Sequence, residues 1–129
     1  MYDFKNKPIV AYIAYEPFGI EYLKRFIKNY KKFNSGHDHD LLICFKQFKN
    51  YEKINDWKKE IPLNFLKFDD SGEKNDFDIG SFFRIAEKYS DRCILFLDTH
   101  TRPNTENWLK IFINHYSEKK IIGATASYA

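Results

Sequence analysis

The segment Phe96-Leu-Asp-Thr-His-Thr-Arg-Pro103 carries the residue types best suited to chemistry. An apolar run ends abruptly in Asp98, and His100 stands two residues on. An extended Asp-x-His segment turns both side chains to the same side, so one cation can meet a carboxylate oxygen and an imidazole nitrogen. A Mn²⁺ or Mg²⁺ ion held in this way is a Lewis acid able to neutralise a diphosphate leaving group. The same two residues also fit a plainer role, in which Asp98 caps a turn and His100 is a polar loop residue. Arg84 offers a planar fork to phosphate oxygens, and Tyr15 offers a ring to a base.

Several other chemistries lack their residues. After the first apolar run the chain reads Ala14-Tyr-Glu-Pro-Phe-Gly19, with neither the Gly-x-Gly-x-x-Gly of dinucleotide sites nor a Gly-Lys-Ser/Thr phosphate loop. The Gly-x-Ser-x-Gly elbow of serine esterases is missing as well. Cys44 and Cys93 lie inside apolar runs, where a thiol is a small inert side chain, and two cysteines make no disulfide framework. His37-Asp-His-Asp40 has the composition of a metal cluster but precedes a strand, which puts it on the edge opposite Asp98, where it reads as a solvated loop.

The elements that position these residues follow from a regular switch in hydrophobic period. Pro8–Ala14, Leu41–Phe45, Leu63–Phe68, Arg92–Leu97 and Ile121–Thr125 are near-continuous apolar runs of strand length. Between them, Glu16–Phe33, Tyr51–Lys59, Ile79–Tyr89 and Thr105–Tyr116 show apolar residues at three- and four-residue steps, the period of amphipathic helices. Asp78 is the expected N-cap of the third helix, and Gly36 the left-handed stop of the first. Trp57 and Trp108 fit the apolar stripes of their helices and are expected in the core, with sugar stacking as the other role open to them. Strands that read as solid apolar runs are covered on both faces, and right-handed crossovers make them parallel. The pattern therefore predicts an α/β, Rossmann-like, doubly wound, mostly parallel five-stranded sheet with helices on both faces.

In such a sheet ligands bind beyond the carboxyl ends of the strands. Tyr15 and Glu16, Lys46 and Gln47, Asp69 and Asp70, Asp98 to His100, and Ser127 all follow strands and so share that edge.

The element order together with Phe96-Leu-Asp-x-His resembles the N-terminal half of a GT-A glycosyltransferase of the family 2 type. The resemblance implies that Asp98 and His100 stand in the two places of the aspartate-x-aspartate motif, which binds the ribose and the metal of a sugar nucleotide. The histidine variant is similar to the Asp-x-His motif of polypeptide N-acetylgalactosaminyltransferases, which holds manganese. Asp78-Ile-Gly80 with Arg84 resembles the Asn-x-Gly…Ala-Arg segment of family 2 enzymes; Trp108 and Ile122-Gly-Ala-Thr-Ala-Ser127 resemble the helix and strand that follow. The family's Asp-Asp-Gly-Ser after the second strand is replaced by Phe45-Lys-Gln-Phe48, where Lys46 either meets phosphate or is a surface lysine.

The shared edge, for Tyr15 and Lys46, and the resemblance, for Asp78, Arg84 and Asp98, together give an expected donor site of Tyr15, Lys46, Asp78, Arg84 and Asp98, with Asp98 and His100 as ligands of Mn²⁺ or Mg²⁺. The resemblance also implies hexosyl transfer in polysaccharide or glycan biosynthesis, completed by an acceptor-binding half for which these residues provide no general base. A non-catalytic nucleotide-binding remnant or interaction module of the same fold is the alternative, with the catalytic residues unknown in either case.

Composition bounds the remaining classes. The 129 residues are expected to form one domain, 1–129, and 43% hydrophobic with 30% charged residues argues against disorder. A net charge of +3 is too mild to imply nucleic-acid binding. Without an apolar N-terminal stretch or a run of ~18–20 apolar residues, a cytoplasmic protein is expected. Lys24, Arg25, Lys28, Lys31 and Lys32 make the polar side of the first helix, either a solvated face or a peripheral contact with anionic lipid beside a lipid- or glycan-linked acceptor. Apolar residues near the C-terminus, Ile121, Ile122 and Tyr128, are expected to invite a protein partner.

Overall fold

The computed structural model describes residues 6–71 and 76–115. Ile9–Tyr15 is β1, Glu21–Lys32 α1, Asp40–Lys46 β2, Tyr51–Lys58 α2, Leu66–Asp70 β3, Phe77–Lys88 α3, Ile94–Leu97 β4 and Trp108–Asn114 α4. The strands form one parallel sheet in the order β3-β2-β1-β4. This is the doubly wound, Rossmann-like topology that the alternating periods predict.

The two sheet faces take alternate residues of each strand, as the strand period requires. Val10, Tyr12, Ala14, Ile43, Phe45, Leu95 and Leu97 pack with Leu23, Phe26 and Ile27 of α1, Ile54 and Trp57 of α2, and Trp108, Leu109 and Ile113 of α4. Ile9, Ala11, Ile13, Leu42 and Cys44 face the other way, onto Ile85 of α3, with Phe82, Tyr89 and Phe96 around them. Both tryptophans are core residues, at 5% and 6% exposure. Burial pushes the Cys44 thiol well above its ordinary range, which keeps it a protonated packing group.

Several boundaries differ from the sequence expectation, among them the start of β3 at Leu66 and of β4 at Ile94, which leaves Cys93 just outside its strand. The first helix is interrupted: Glu16–Phe18 is a 3₁₀ turn with Pro17 in its first turn, Gly19 follows at φ +83°, and α1 starts only at Glu21. Its C-cap is Phe33 in extended conformation, and Gly36 takes φ +81° three residues later. A Cβ at Gly36 would press on Asn107, so glycine there serves the docking of the loop before α4. β3 runs to Asp70 because Asp69 and Asp70 pair in register with Phe45 and Lys46, and Asp70 finds cationic partners there. α4 starts at Trp108, because Asn107 sits at φ +60° and its N–H donates to the Asn34 carbonyl. The expected fifth strand Ile121–Thr125, Ser127 and Tyr128 lie outside the described residues.

Phe26 is fully buried, its ring stacked on Tyr12 with centroids 4.0 Å apart. Phe26→Ala is expected to cost about 3–5 kcal/mol in urea unfolding, whereas Glu87→Gln on the exposed side of α3 should change stability by less than about 0.5 kcal/mol.

Candidate functional site

The strand order places a topological switch point between β1 and β4: from β1 the chain winds to β2 and β3 on one side, then returns to β4 on the other. Ligand crevices of open parallel sheets lie outside the carboxyl ends at this point. Two hydrogen bonds lock its walls together. The Thr99 hydroxyl donates to the Ile13 carbonyl at 2.9 Å, and the buried Tyr12 hydroxyl donates to the Thr99 carbonyl at 2.7 Å. Burial, then the nearby Asp98 charge, pushes the Tyr12 phenol far above its ordinary value, so it remains a donor.

Asp98 to Thr101 is a closed turn, which corrects the extended Asp-x-His geometry. The Thr101 N–H donates to the Asp98 carbonyl at 3.2 Å, while Asp98 Oδ1 accepts from the His100 N–H at 3.0 Å and the Thr101 hydroxyl at 2.7 Å. Asp98 therefore does cap the turn, and its Oδ2 is the oxygen left over. The exposed His100 ring stacks on Phe18 at 5.1 Å and meets the edge of Tyr22 at 4.6 Å. Tyr15 meets Phe18 edge-on at 4.7 Å and donates its hydroxyl to Gln47 at 3.0 Å. The result is an aromatic wall, Tyr15-Phe18-Tyr22, around the imidazole.

Asp78 lies in the first turn of α3, at its second position, and the N-cap position belongs to Asp76. Burial, then the Asp98 charge, raises the Asp78 carboxyl, while Lys46 and His100 oppose the shift. Asp78 thus stands electrostatically between the Asp98-His100 turn and a second cluster farther along the edge.

That cluster contains Lys46 and Arg84. Lys46 is no surface lysine: at 1% exposure its Nζ donates to Ser81 Oγ at 2.6 Å, Asp76 Oδ1 at 2.9 Å and Asp70 Oδ2 at 3.4 Å. Ser81 Oγ in turn donates to Asp70 at 2.7 Å. The Arg84 fork grips Asp70 through Nε and Nη2, both at 2.7 Å, and Asp76 through Nη1 at 2.6 Å. Burial pushes Asp70 up, yet Arg84 and Ser81 outweigh it and hold the carboxyl below its ordinary range; Arg84 and then Lys46 lower Asp76 further. The Asp76 carboxylate lies over Gly80, where any Cβ would overlap it.

Of the five donor residues expected, the edge brings Tyr15, Asp78 and Asp98 toward the switch point, whereas Lys46 and Arg84 point into carboxylates of their own chain. The sequence reading missed Phe18, Tyr22, Asp76 and Ser81. Only the Asp76–Gly80 spacing, an acid four residues before a helical glycine, carries a local trace of the cluster.

On the opposite edge the His37–Asp40 run is more ordered than a solvated loop. His39 Nδ1 donates to the His37 carbonyl at 2.9 Å, which leaves Nε2 to accept from the Tyr30 hydroxyl at 2.6 Å, and its ring packs edge-on against Trp108. No group of three or more His, Cys, Asp or Glu side chains placed to hold a metal ion occurs among the described residues. No described helix is long and apolar enough to cross a membrane. The chain matches no protein-family model, and it has no significant match among curated proteins or solved structures. Fold and edge together define a Rossmann-like α/β domain, compatible with nucleotide-binding folds in general.

Two outcomes are expected. Asp70→Ala leaves Lys46 with Asp76 and Ser81 but removes its buried carboxylate and the two Asp70 contacts of the Arg84 fork, and should cost about 3–5 kcal/mol in urea unfolding. Lys46→Met combined with Asp70→Ala should cost clearly less than the two single losses summed; additive losses would mean the pair is not coupled. Asp78 behaves oppositely to Asp70. Its raised carboxyl favours folding below the ordinary carboxylate range and loses that advantage as pH rises through the raised value. Asp78→Asn should therefore raise the Tm at neutral pH, and the gain should shrink as acid protonates Asp78, followed by calorimetry across pH.

Proposed function

We propose that this protein binds a nucleoside diphosphate, as a sugar nucleotide, in the crevice between β1 and β4, as the donor site of a glycosyltransferase-like domain. The observation that carries this reading is the convergence of Asp78, Asp98 and His100 with the Tyr15-Phe18-Tyr22 wall at the switch point. In this reading an aromatic face of the wall, Tyr15 first, stacks on the base, and Asp78 accepts from sugar hydroxyls. Asp98 Oδ2 and the His100 imidazole would hold Mn²⁺ or Mg²⁺. A site with two protein ligands suits magnesium-type binding, in which diphosphate oxygens and water complete the shell. The ion's contribution is to neutralise charge on the leaving diphosphate. Lys46 and Arg84 act indirectly here, by fixing the start of α3 and hence Asp78. A lipid- or glycan-linked acceptor belongs to the same reading.

A second reading, a nucleotide-binding module without transfer, is favoured by Asp98 Oδ1 being spent on its own turn. Acceptor-dependent turnover of a labelled sugar nucleotide separates the two.

Calorimetric titration with UDP, GDP, CDP and dTDP, with and without Mn²⁺, tests the binding itself. At least one should bind with metal dependence, and Asp98→Asn should weaken it by at least about tenfold, the loss of one charge-assisted contact. His37→Ala should leave it unchanged. Absence of binding by all four at millimolar concentration would sink the reading.

A further inference from the structure

We infer a second anion site, separate from the switch point: a hollow between α1 and the loop after β4 that takes a multiply charged phosphate group. Arg25, Lys28, Asn29 and Arg102 line an open hollow of about 400 Å³, within the usual size of small-ligand clefts, and no acidic side chain among the described residues lines it.

The chain's four arginines divide into two pairs. Arg84 is clasped by Asp70 and Asp76, and Arg92 donates to Asp40 at 2.7 Å. Arg25 and Arg102 have no carboxylate partner among the described residues, and both line this hollow. Lys28 has none either, and the single acid of α1, Glu21, faces Lys24 at 3.9 Å. Arg25 has only the face of Tyr22, with its guanidinium carbon 5.6 Å from the ring centre.

Three cations with no carboxylate partner among the described residues meet here because the backbone holds them together. Asn29 Nδ2 donates to the Pro103 carbonyl at 2.7 Å, pinning the residue after Arg102 against α1. Arg25, Lys28 and Asn29 fall on one side of the helix by their three- and four-residue spacing. Like charges gathered without a counter-charge oppose folding, and a bound anion relieves that repulsion. Two guanidinium forks and an ammonium match the oxygens of a diphosphate or a phosphate monoester better than a carboxylate, which would satisfy one fork. Lys24, Lys31 and Lys32 stand outside the hollow, so the proposed contacts are the two forks and one ammonium and not the whole basic face of α1.

This inference stands on Arg25, Lys28 and Arg102 and needs no nucleotide at the switch point. If the proposed donor site holds too, the hollow is where a phosphate-bearing second substrate would rest, since Arg102 shares a loop with Asp98 and His100.

The test uses the 129-residue chain in metal-free, low-salt buffer with inorganic pyrophosphate as probe, read by NMR of the arginine Nε–H groups and backbone amides. Saturable shifts are expected at Arg25, Lys28 and Arg102, and Arg25→Gln or Arg102→Gln should each weaken binding by about tenfold. The Lys31→Gln/Lys32→Gln double variant, on the same helix outside the hollow, should bind within about twofold of the parent. Equal loss in that double variant would show diffuse attraction only and overturn the site, as would no saturation at millimolar pyrophosphate. Saturable shifts confined to Asp78, Asp98 and His100, with Arg25, Lys28 and Arg102 unmoved, would place the anion at the switch point and overturn this inference while sparing the proposed function. A parallel arm measures sedimentation with phosphatidylglycerol vesicles. Arginine-dependent vesicle binding without pyrophosphate binding would identify a membrane face and overturn the discrete site.

Discussion

The carboxyl edge of this sheet depends on one buried exchange of charge, in which Lys46 and Arg84 are neutralised by Asp70 and Asp76. An ammonium withdrawn from water costs several kcal/mol unless its partners are in place. Lys46, Asp70 and Ser81 come from the ends of β2 and β3 and from α3, so the three elements must meet in one register for the charges to balance. Arg84 closes the arrangement from the second turn of α3, and Gly80 keeps open the space through which Asp76 reaches it. The same exchange decides which groups remain for a ligand. It absorbs two of the cations nearest the edge, and it leaves Asp78 raised by burial and by the Asp98 charge, a shift that Lys46 and His100 only partly oppose.

Across the sheet, neutral hydrogen bonds do the corresponding work. Tyr12 and Thr99 join β1 to the loop after β4 through side chains that are fully or nearly buried. Since Tyr12 also stacks on Phe26, the core on the α1 side and the Asp98 turn are one packed unit. The turn's shape is thus set from below, by β1, while its upper surface carries the exposed imidazole. A rigid base under a polar rim is the arrangement that positions functional groups without loop motion.

What was legible in the sequence follows from which interactions are local. Apolar runs such as Ile9–Ala14 and helical steps such as Leu23, Phe26 and Ile27 report burial directly, so the strands, helices and layer order of the described residues could be read from them. Boundaries failed where a polar residue was stabilised by a distant partner. Asp70 looks like turn chemistry until Arg84, fourteen positions away, and Lys46, twenty-four away, make it a strand residue. Lys46 looks like a surface lysine for the same reason. The Asp98–His100 pair follows an apolar run and so is legible, yet its closed geometry depends on Thr101, whose hydroxyl takes one of the two Asp98 carboxylate oxygens.

Under the proposed reading these charges also dictate the order of events at the edge. Asp98 has one carboxylate oxygen committed to its turn and Oδ2 left over, His100 would contribute a single nitrogen, and among the described residues no third protein ligand is arranged with them. Two such ligands are too few for a hard divalent ion, which needs several more oxygens. Diphosphate supplies those oxygens, and its own negative charge would be repelled by Asp78 and Asp98 without the ion. Metal and nucleotide therefore stabilise each other at this edge and bind as a pair, each weak alone. The inferred cationic hollow of Arg25, Lys28 and Arg102 would have no such requirement, because no carboxylate lines it among the described residues. Under the two proposals, one protein surface would offer two phosphate environments with opposite rules, acidic and metal-dependent beside Asp98, basic and metal-free beside Arg102.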